Sequence, residues 1–540
     1  ACYLRRPQCP DEAGARRHAV GLIRVYPDKR MVVMPARQDV VRLLPHAHTF
    51  TLRNRPWMAH PHEPDVVRLM YNLGVRIPEP IRFYYDWCGT TPFKNQIDTA
   101  ALLTTHRRVF VLNEMGTGKT RAALFAFDYL KKIQRATRLL VAAPLSTLST
   151  VWGDEIFRTF HHLSAAVLHG SAAKRRKLLA SNADIMIINH DGLEVIRADL
   201  EAAGFDTVII DELAVFRNTS TGLWKSAKPL VAKAANAWGL TGAPTPNAPT
   251  DAYGQVKLLI PENVSFSFKS FKQDTMLQVT QFKWIDREDA NDHVFKVMQP
   301  SIRVSRDEAF DLPPVTYQNR MVSIDPRAAK PYKDMMAELA TLIKAKEITA
   351  ANEGVKLSKL LQISAGFAYD GDREGVYIGA VPRIKEVFSI CEGAARKVIV
   401  FAPFVYLAEL LAKALGQRYP TALVHGEIST TRRNEIYMNF QRAEEPRIIV
   451  AHPKCMSHGL TLTRADTVVW AAPTMSLETY EQACARITRP GQITHAHIIH
   501  IMSTKAEQQV YARLRFRASM QGALLELFEE NTRGPPEAPP

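Results

Sequence analysis

The chain has little of what marks secreted or membrane proteins. Its 540 residues include six cysteines (Cys2, Cys9, Cys88, Cys391, Cys455 and Cys484) and no C-x-x-C pair. They read as scattered, reduced thiols rather than a disulfide framework. No apolar run approaches the ~20 residues of a membrane span. Residues 1–20 are Arg-rich without an apolar stretch, so no secretory signal is expected and a cytoplasmic setting follows. There is no internal repeat, and no compact His/Asn or Asp/Glu-x-Lys cluster of the nuclease kind. Acidic residues are the scarcer sign: 54 Asp and Glu against 69 Lys and Arg leave a net charge of +15. That balance favours a polyanionic partner, because neutralised phosphates release counterions.

What is present is concentrated in Asn113-Glu114-Met115-Gly116-Thr117-Gly118-Lys119-Thr120. The apolar run Val109–Leu112 precedes it and the helix-like Ala122–Phe127 follows. A strand feeding a glycine loop into a helix start directs backbone N–H groups and the helix N-terminus at a polyphosphate. Lys119 is expected on the β- and γ-phosphates of ATP and Thr120 on Mg²⁺, with Met115, Gly116, Thr117 and Gly118 shaping the cradle. Asn113 stands where the strict pattern has glycine.

Downstream, Asp211-Glu212 closes the apolar run Val208–Ile210. Carboxylates at the C-terminal end of such a strand lie where ligands bind open parallel sheets. Asp211 is expected to hold Mg²⁺ and Glu212 to orient or deprotonate the attacking water. Much later, Arg486 and Arg489 are three apart, which puts them on one face if the segment is helical. Two guanidinium groups facing a γ-phosphate would neutralise charge developing in the transition state.

The length favours three to four domain-sized units, and a 46% hydrophobic content is enough for real cores. Buried-strand candidates fall in two sets: Leu139–Ala143, Ile185–Ile188 and Val208–Ile210, then Val398–Phe401, Ile448–Val450, Val468–Trp470 and Ile498–Ile499. Continuous apolar strands with helices between them argue for parallel sheets covered on both faces, hence two α/β lobes. The expected division is a small α+β module at 1–80, a first lobe at 81–257, helical insertions and linker at 258–380, a second lobe at 381–520 and a disordered tail at 521–540. Within the first module, strands at Leu22–Tyr26 and Met31–Met34 and a helix over Asp65–Leu73 ending at Gly74 are expected.

The ordered motifs carry a resemblance to the Swi/Snf branch of the superfamily-two helicase-like ATPases, spanning about 90–515. Besides the phosphate loop it rests on Ala143–Leu148 with Trp152 and Glu155, on Leu240–Asn247, on Gly459–Thr463 and on Gln482–Gln492, with Pro92, Phe93 and Gln96 matching an adenine-reading segment. The resemblance implies two RecA-like lobes closing on ATP and Mg²⁺, with Gly459 and Gln482 also at the nucleotide. It implies DNA contacts at Pro144, Ser146, Asn189, His190, Thr241, Gly242, Phe404, His425, Gly426, Ser457, His458 and Thr461. Such contacts go mainly to the backbone of the nucleic acid, so little base specificity is expected. Two departures stand out: Ala214 replaces the family's His after Asp211-Glu212, and Met456-Ser457 replaces a glycine pair. The second, with Trp470 and Leu477–Gln482, is similar to compact phage or prophage members.

Residues 43–74 resemble the small module before the ATPase of annealing, fork-remodelling relatives (the HARP type), where Arg53, Arg55 and Trp57 would meet phosphate and an exposed base. The alternative is a small module with Trp57 in its core. His46, His48, His60 and His62, with or without Cys2 and Cys9, fit no standard zinc spacing. The expected protein is therefore an ATP-dependent translocase that remodels duplex or branched DNA, working as a monomer in the cytoplasm of a bacterium or phage-infected cell, with replication or recombination proteins as partners. The rival readings are a strand-separating helicase and a non-hydrolysing DNA-binding scaffold.

Overall fold

The computed structural model describes residues 23–516 and 518, apart from 45, 265, 281–283, 311, 345–349, 371–373, 457–461 and 490. The tail expected at 521–540 and the residues Ser457, His458, Gly459 and Thr461 lie outside the described residues.

The chain opens with a four-stranded antiparallel sheet of β1 (Arg24–Tyr26), β2 (Met31–Pro35), β3 (His48–Leu52) and β4 (Arg55–Pro61), in the order β1-β2-β4-β3. The helix Pro64–Asn72 packs on it with Val67 and Met70 buried. Gly74 follows at φ +74, the left-handed stop that ends a helix. Trp57 is buried against Tyr26 and Val33, which favours the core alternative for that ring. His62 is bonded to the Pro78 carbonyl at 2.6 Å and, just beyond the expected module boundary, to the Tyr84 hydroxyl at 2.9 Å.

The first lobe contributes β5 (Arg108–Val111), β6 (Leu139–Ala143), β7 (Ala165–Leu168), β8 (Ile185–Asn189), β9 (Thr207–Asp211) and β10 (Asn236–Leu240). After a short hairpin, β11 (Met276–Gln278) and β12 (Trp284–Asp286), the strand β13 (Ser301–Ile302) returns to the same sheet. Its order is β13-β5-β10-β9-β6-β8-β7, and every pairing is parallel. β6 and β8 are buried along their whole length, as a sheet covered on both faces requires.

The second lobe begins at β14 (Val315–Met321). After a hairpin of β15 (Phe367–Tyr369) and β16 (Gly375–Tyr377) it continues with β17 (Lys397–Phe401), β18 (Thr421–Val424), β19 (Ile448–Ala451), β20 (Ala465–Trp470) and β21 (Ala496–Met502). The order β14-β21-β20-β17-β19-β18 is again parallel throughout. The two parallel-sheet α/β lobes expected from the strand runs are thus present. The segment 258–380 is helical in large part, including Pro326–Lys344 and Ala350–Ala365, but it also gives β13 to the first sheet and β14 to the second. Those strands escaped the sequence because β13 is two residues long and β14 is an edge strand of mixed polarity.

Candidate active site

The phosphate loop sits where β5 delivers it, at the C-terminal edge of a parallel sheet. Gly116 and Gly118 take φ +85 and +84, a conformation that glycine adopts without strain. A Cβ on Gly118 would lie 2.2 Å from Gln96 Nε2, so the expected adenine-reading glutamine packs directly on the loop. Gln96 Oε1 also accepts the Phe93 N–H at 3.0 Å. The Phe93 ring is 47% exposed and meets Phe310 edge-on at 4.9 Å. Asn113 is anchored by its amide to the Thr99 hydroxyl at 2.7 Å, and Asn95 donates to the Thr117 carbonyl at 2.7 Å. Lys119 and Thr120 open the helix Lys119–Lys132. The Lys119 ammonium donates to the carbonyls of Asn113 (2.7 Å) and Glu114 (3.3 Å).

β9 ends at Asp211, and Glu212 then turns the chain at φ +52. Both Asp211 oxygens are engaged: the Trp152 indole N–H donates to Oδ2 at 2.9 Å and the Glu212 N–H to Oδ1 at 3.1 Å. Burial and then the neighbouring Asp211 push the Glu212 carboxyl up to about 8, against the opposing pull of Lys119 and Arg486. Burial lowers Lys119, while Glu212 and Asp211 counteract it. These charges therefore act on one another across a shared site.

The second lobe reaches the same place by a turn. The helix Leu477–Cys484 stops before Arg486, so the two arginines do not share a helical face. The sequence continues Arg489-Pro490-Gly491, and a residue before proline is kept out of helical geometry. The arginines converge all the same. Arg486 is fully buried with its Nε donating to the Gln482 carbonyl at 2.8 Å. The Arg489 side chain lies on the phosphate loop, with Cγ 3.5 Å from where a Cβ of Gly116 would be. Burial and then Arg489 hold Arg486 well below its ordinary range. Gln482 is buried and donates to Glu478 at 3.2 Å.

Between the sheets lies a cavity of about 480 Å³. Glu114, Met115, Glu212, Gly242 and Ala243 line it from the first lobe, and Glu478, Glu481, Gln482 and Ala485 from the second, with Arg303 and Arg306 beside them. Burial, then the proximity of Glu114, pushes Glu481 up to about 7. The involvement of Arg303 and Arg306 is not readable in the sequence, because no local motif marks them, and Glu481 stands out only as part of Leu477–Gln482.

The residues expected on DNA divide. Ser146 and Gly426 are exposed, while Pro144, Gly242 and Phe404 are half-buried. Asn189, His190, Thr241 and His425 are buried. Asn189 Oδ1 accepts from the buried Arg175 at 3.0 Å, and His190 Nε2 bonds the Asp211 carbonyl at 2.8 Å. Ends of parallel strands sit inside the sheet's edge, which is why strand-terminal polar residues became lobe contacts. Ala214 is buried in the turn Leu213–Phe216 and offers only its carbonyl, which accepts from Arg217 at 3.3 Å.

Two parallel sheets with a phosphate loop on one and paired arginines from the other define a helicase-type nucleotide-hydrolase core. The comparisons agree: the SNF2-related domain matches residues 57–366 and the helicase conserved C-terminal domain matches 381–491. The chain belongs to the SNF2-related family, and is a DNA-dependent ATPase of the helicase class. Protein p41 of Acyrthosiphon pisum secondary endosymbiont phage 1 is 26% identical over 446 residues, 77% of this chain and 94% of that protein. The Xenopus tropicalis SWI/SNF-related matrix-associated actin-dependent regulator of chromatin subfamily A-like protein 1 is 26% identical over 407 residues, 73% of this chain and 41% of its own length. The mouse DNA annealing helicase and endonuclease ZRANB3 is 22% identical over 432 residues, 77% and 39%. The chain thus spans about two fifths of the length of its vertebrate relatives.

Proposed function

We propose that the chain is an ATP-driven translocase that remodels duplex or branched DNA. The observation that carries this reading is the Arg489 side chain lying on Gly116 of the phosphate loop. A nucleotide held by one sheet would then meet cations from the other, and opening or closing of that contact would move the lobes over a nucleic-acid backbone. In this reading Gly116, Thr117, Gly118 and Lys119 hold the phosphates and Gln96 braces the loop. Glu212 takes the proton of the attacking water. Arg486 and Arg489 stabilise the charge that develops on the transferred phosphoryl group.

Thr120 and Asp211 would hold Mg²⁺, which neutralises phosphate charge. The donor set fits: two adjacent carboxylates, one pushed up to about 8 partly by the other, are relieved by a divalent cation. Trp152 keeps Asp211 pointed, and burial with the neighbouring Asp211 keeps the proton affinity of Glu212 high enough for a base. The net charge of +15 and the exposed Arg53 and Arg55 of the first sheet suit a phosphate backbone. The name of the mouse relative, a DNA annealing helicase and endonuclease, agrees with action on DNA. Among the described residues no helix is long and apolar enough to cross a membrane, and a cytoplasmic site of action is part of the proposal.

ATP turnover measured with single-stranded, duplex, forked and four-way DNA tests it. Forked and four-way DNA should stimulate most, and a triplex should be displaced without separation of a blunt duplex. Equal stimulation by single strands overturns the reading, and unwinding of blunt duplex replaces it with a strand-separating helicase. Glu212→Gln should bind ATP and lose about 10²–10⁴-fold in turnover.

A further inference from the structure

One side chain joins the two halves of this site, and it belongs to neither the phosphate loop nor the arginine turn. Arg306 follows β13 and opens the short helix Arg306–Ala309. Its Nη2 donates to Glu114 Oε1 at 2.9 Å, and its backbone N–H donates to Glu114 Oε2 at 2.7 Å. Both oxygens of the phosphate-loop carboxylate are thus taken by one residue. The other arm, Nη1, donates to the carbonyl of Thr488 at 3.1 Å and to its hydroxyl at 2.5 Å. Thr488 lies between Arg486 and Arg489. We propose that Arg306 is a positioning residue for ATP turnover, docking the arginine turn of the second lobe onto the phosphate loop of the first.

The charges explain why such a device is needed. Arg303, Arg306, Arg486 and Arg489 crowd one cleft, and Arg306 adds to burial in pushing Arg489 down to about 10. Cations gathered this closely repel one another unless an anion sits among them. Glu114 supplies it: burial alone would raise its carboxyl, yet Arg306 and Arg303 bring it below the ordinary range. A planar guanidinium is suited to the task, because it can engage a carboxylate with one edge and a carbonyl with another. The Glu114 N–H also donates to the Val304 carbonyl at 3.0 Å, so loop and segment are held together on the first-lobe side. The Thr488 arm is the part that crosses to the second lobe.

This inference rests on the proposed roles of Arg486 and Arg489, so its test includes a readout independent of catalysis. The full chain carrying Arg306→Gln, Arg306→Lys, Thr488→Val or Glu114→Gln is compared with the unaltered protein in ATP turnover and in amide hydrogen exchange over 485–489. Arg306→Gln should lower kcat about tenfold with little change in KM, the size expected of coupled groups in one network. It should also speed exchange of the turn. Arg306→Lys should recover part of both, because a lysine keeps the ion pair with Glu114 while losing the second arm. Thr488→Val removes a hydroxyl at nearly constant shape and should reproduce the defect in milder form. Adding Glu114→Gln to Arg306→Gln should cost little more, since the bridge is already broken. Unchanged kcat and unchanged exchange in Arg306→Gln overturn the proposal. A raised KM at constant kcat also overturns it, making Arg306 a nucleotide-binding residue. If the unaltered protein shows no turnover, the functional reading falls, and the exchange data alone decide the bridge.

Discussion

The two lobes contribute to the candidate site in different ways. The first builds its part from the ends of buried strands, and several polar groups there are held by the lobe itself. Lys119 is bonded to loop carbonyls, Asn113 to Thr99, and Asp211 to Trp152. The second lobe offers side chains from a turn beyond a short helix, and they acquire a role only against the other sheet. The difference teaches that nucleotide binding should belong to the first lobe alone, whereas turnover should belong to the contact between lobes.

The largest expected effect would break that division if it failed. Arg486→Ala with Arg489→Ala should cost about 10³-fold or more in kcat, the range of arginine fingers. ATP affinity, read by fluorescent-nucleotide titration, should change little by comparison. Lys119→Ala should instead abolish binding. Comparable loss of binding in both variants would show that the second lobe holds the nucleotide as well.

A second prediction sharpens the comparison through pH. Glu212 in the free protein is pushed up to about 8, first by burial and then by Asp211. A base works only when deprotonated, and kcat/KM reports groups of the free enzyme. The profile should therefore rise with pH, about tenfold per unit below the midpoint, and level off above it. Arg486 is among the cations that lower Glu212, so Arg486→Ala should move the midpoint upward while reducing the plateau. A midpoint near the ordinary glutamate value of about 4 would show that Glu212 is not the group observed.

What was legible in the sequence follows the same line. The phosphate loop, the Asp211-Glu212 pair and most of the inner strands could be read because their signals are local: glycines at fixed spacing, or apolar runs that only a covered sheet accommodates. The strand β10 was hidden because Gly239 interrupts Asn-Ala-Trp-Gly-Leu, and β14 because an edge strand need not be apolar. Arg486 and Arg489 stand out by their spacing, but they lie beyond the helix end at Cys484, where helical spacing does not apply. Arg306 was invisible: it meets Glu114 across 192 residues, a pairing that no local pattern encodes. That Asn189 and His190 are buried was not readable either, because strand ends can turn their polar side chains into the lobe.

Trp152 gives the smallest predicted effect, and one confined to the first lobe. Its ring is fully buried, and its N–H reaches Asp211 Oδ2 across 59 residues. Trp152→Phe keeps most of the apolar volume and removes the donor. Asp211 then keeps the Glu212 N–H on Oδ1, and an outer partner of a metal-holding carboxylate is worth roughly 10–100-fold in metal affinity or activity. The lower end is expected here, about tenfold, because burial still restricts where the carboxylate can turn. The defect should appear as a higher Mg²⁺ requirement in ATP turnover and be largely rescued by excess Mg²⁺, unlike that of the arginine variants. A loss that Mg²⁺ does not rescue, with the pH midpoint displaced, would mean that Trp152 acts on Glu212 through the strand end rather than on Asp211 itself.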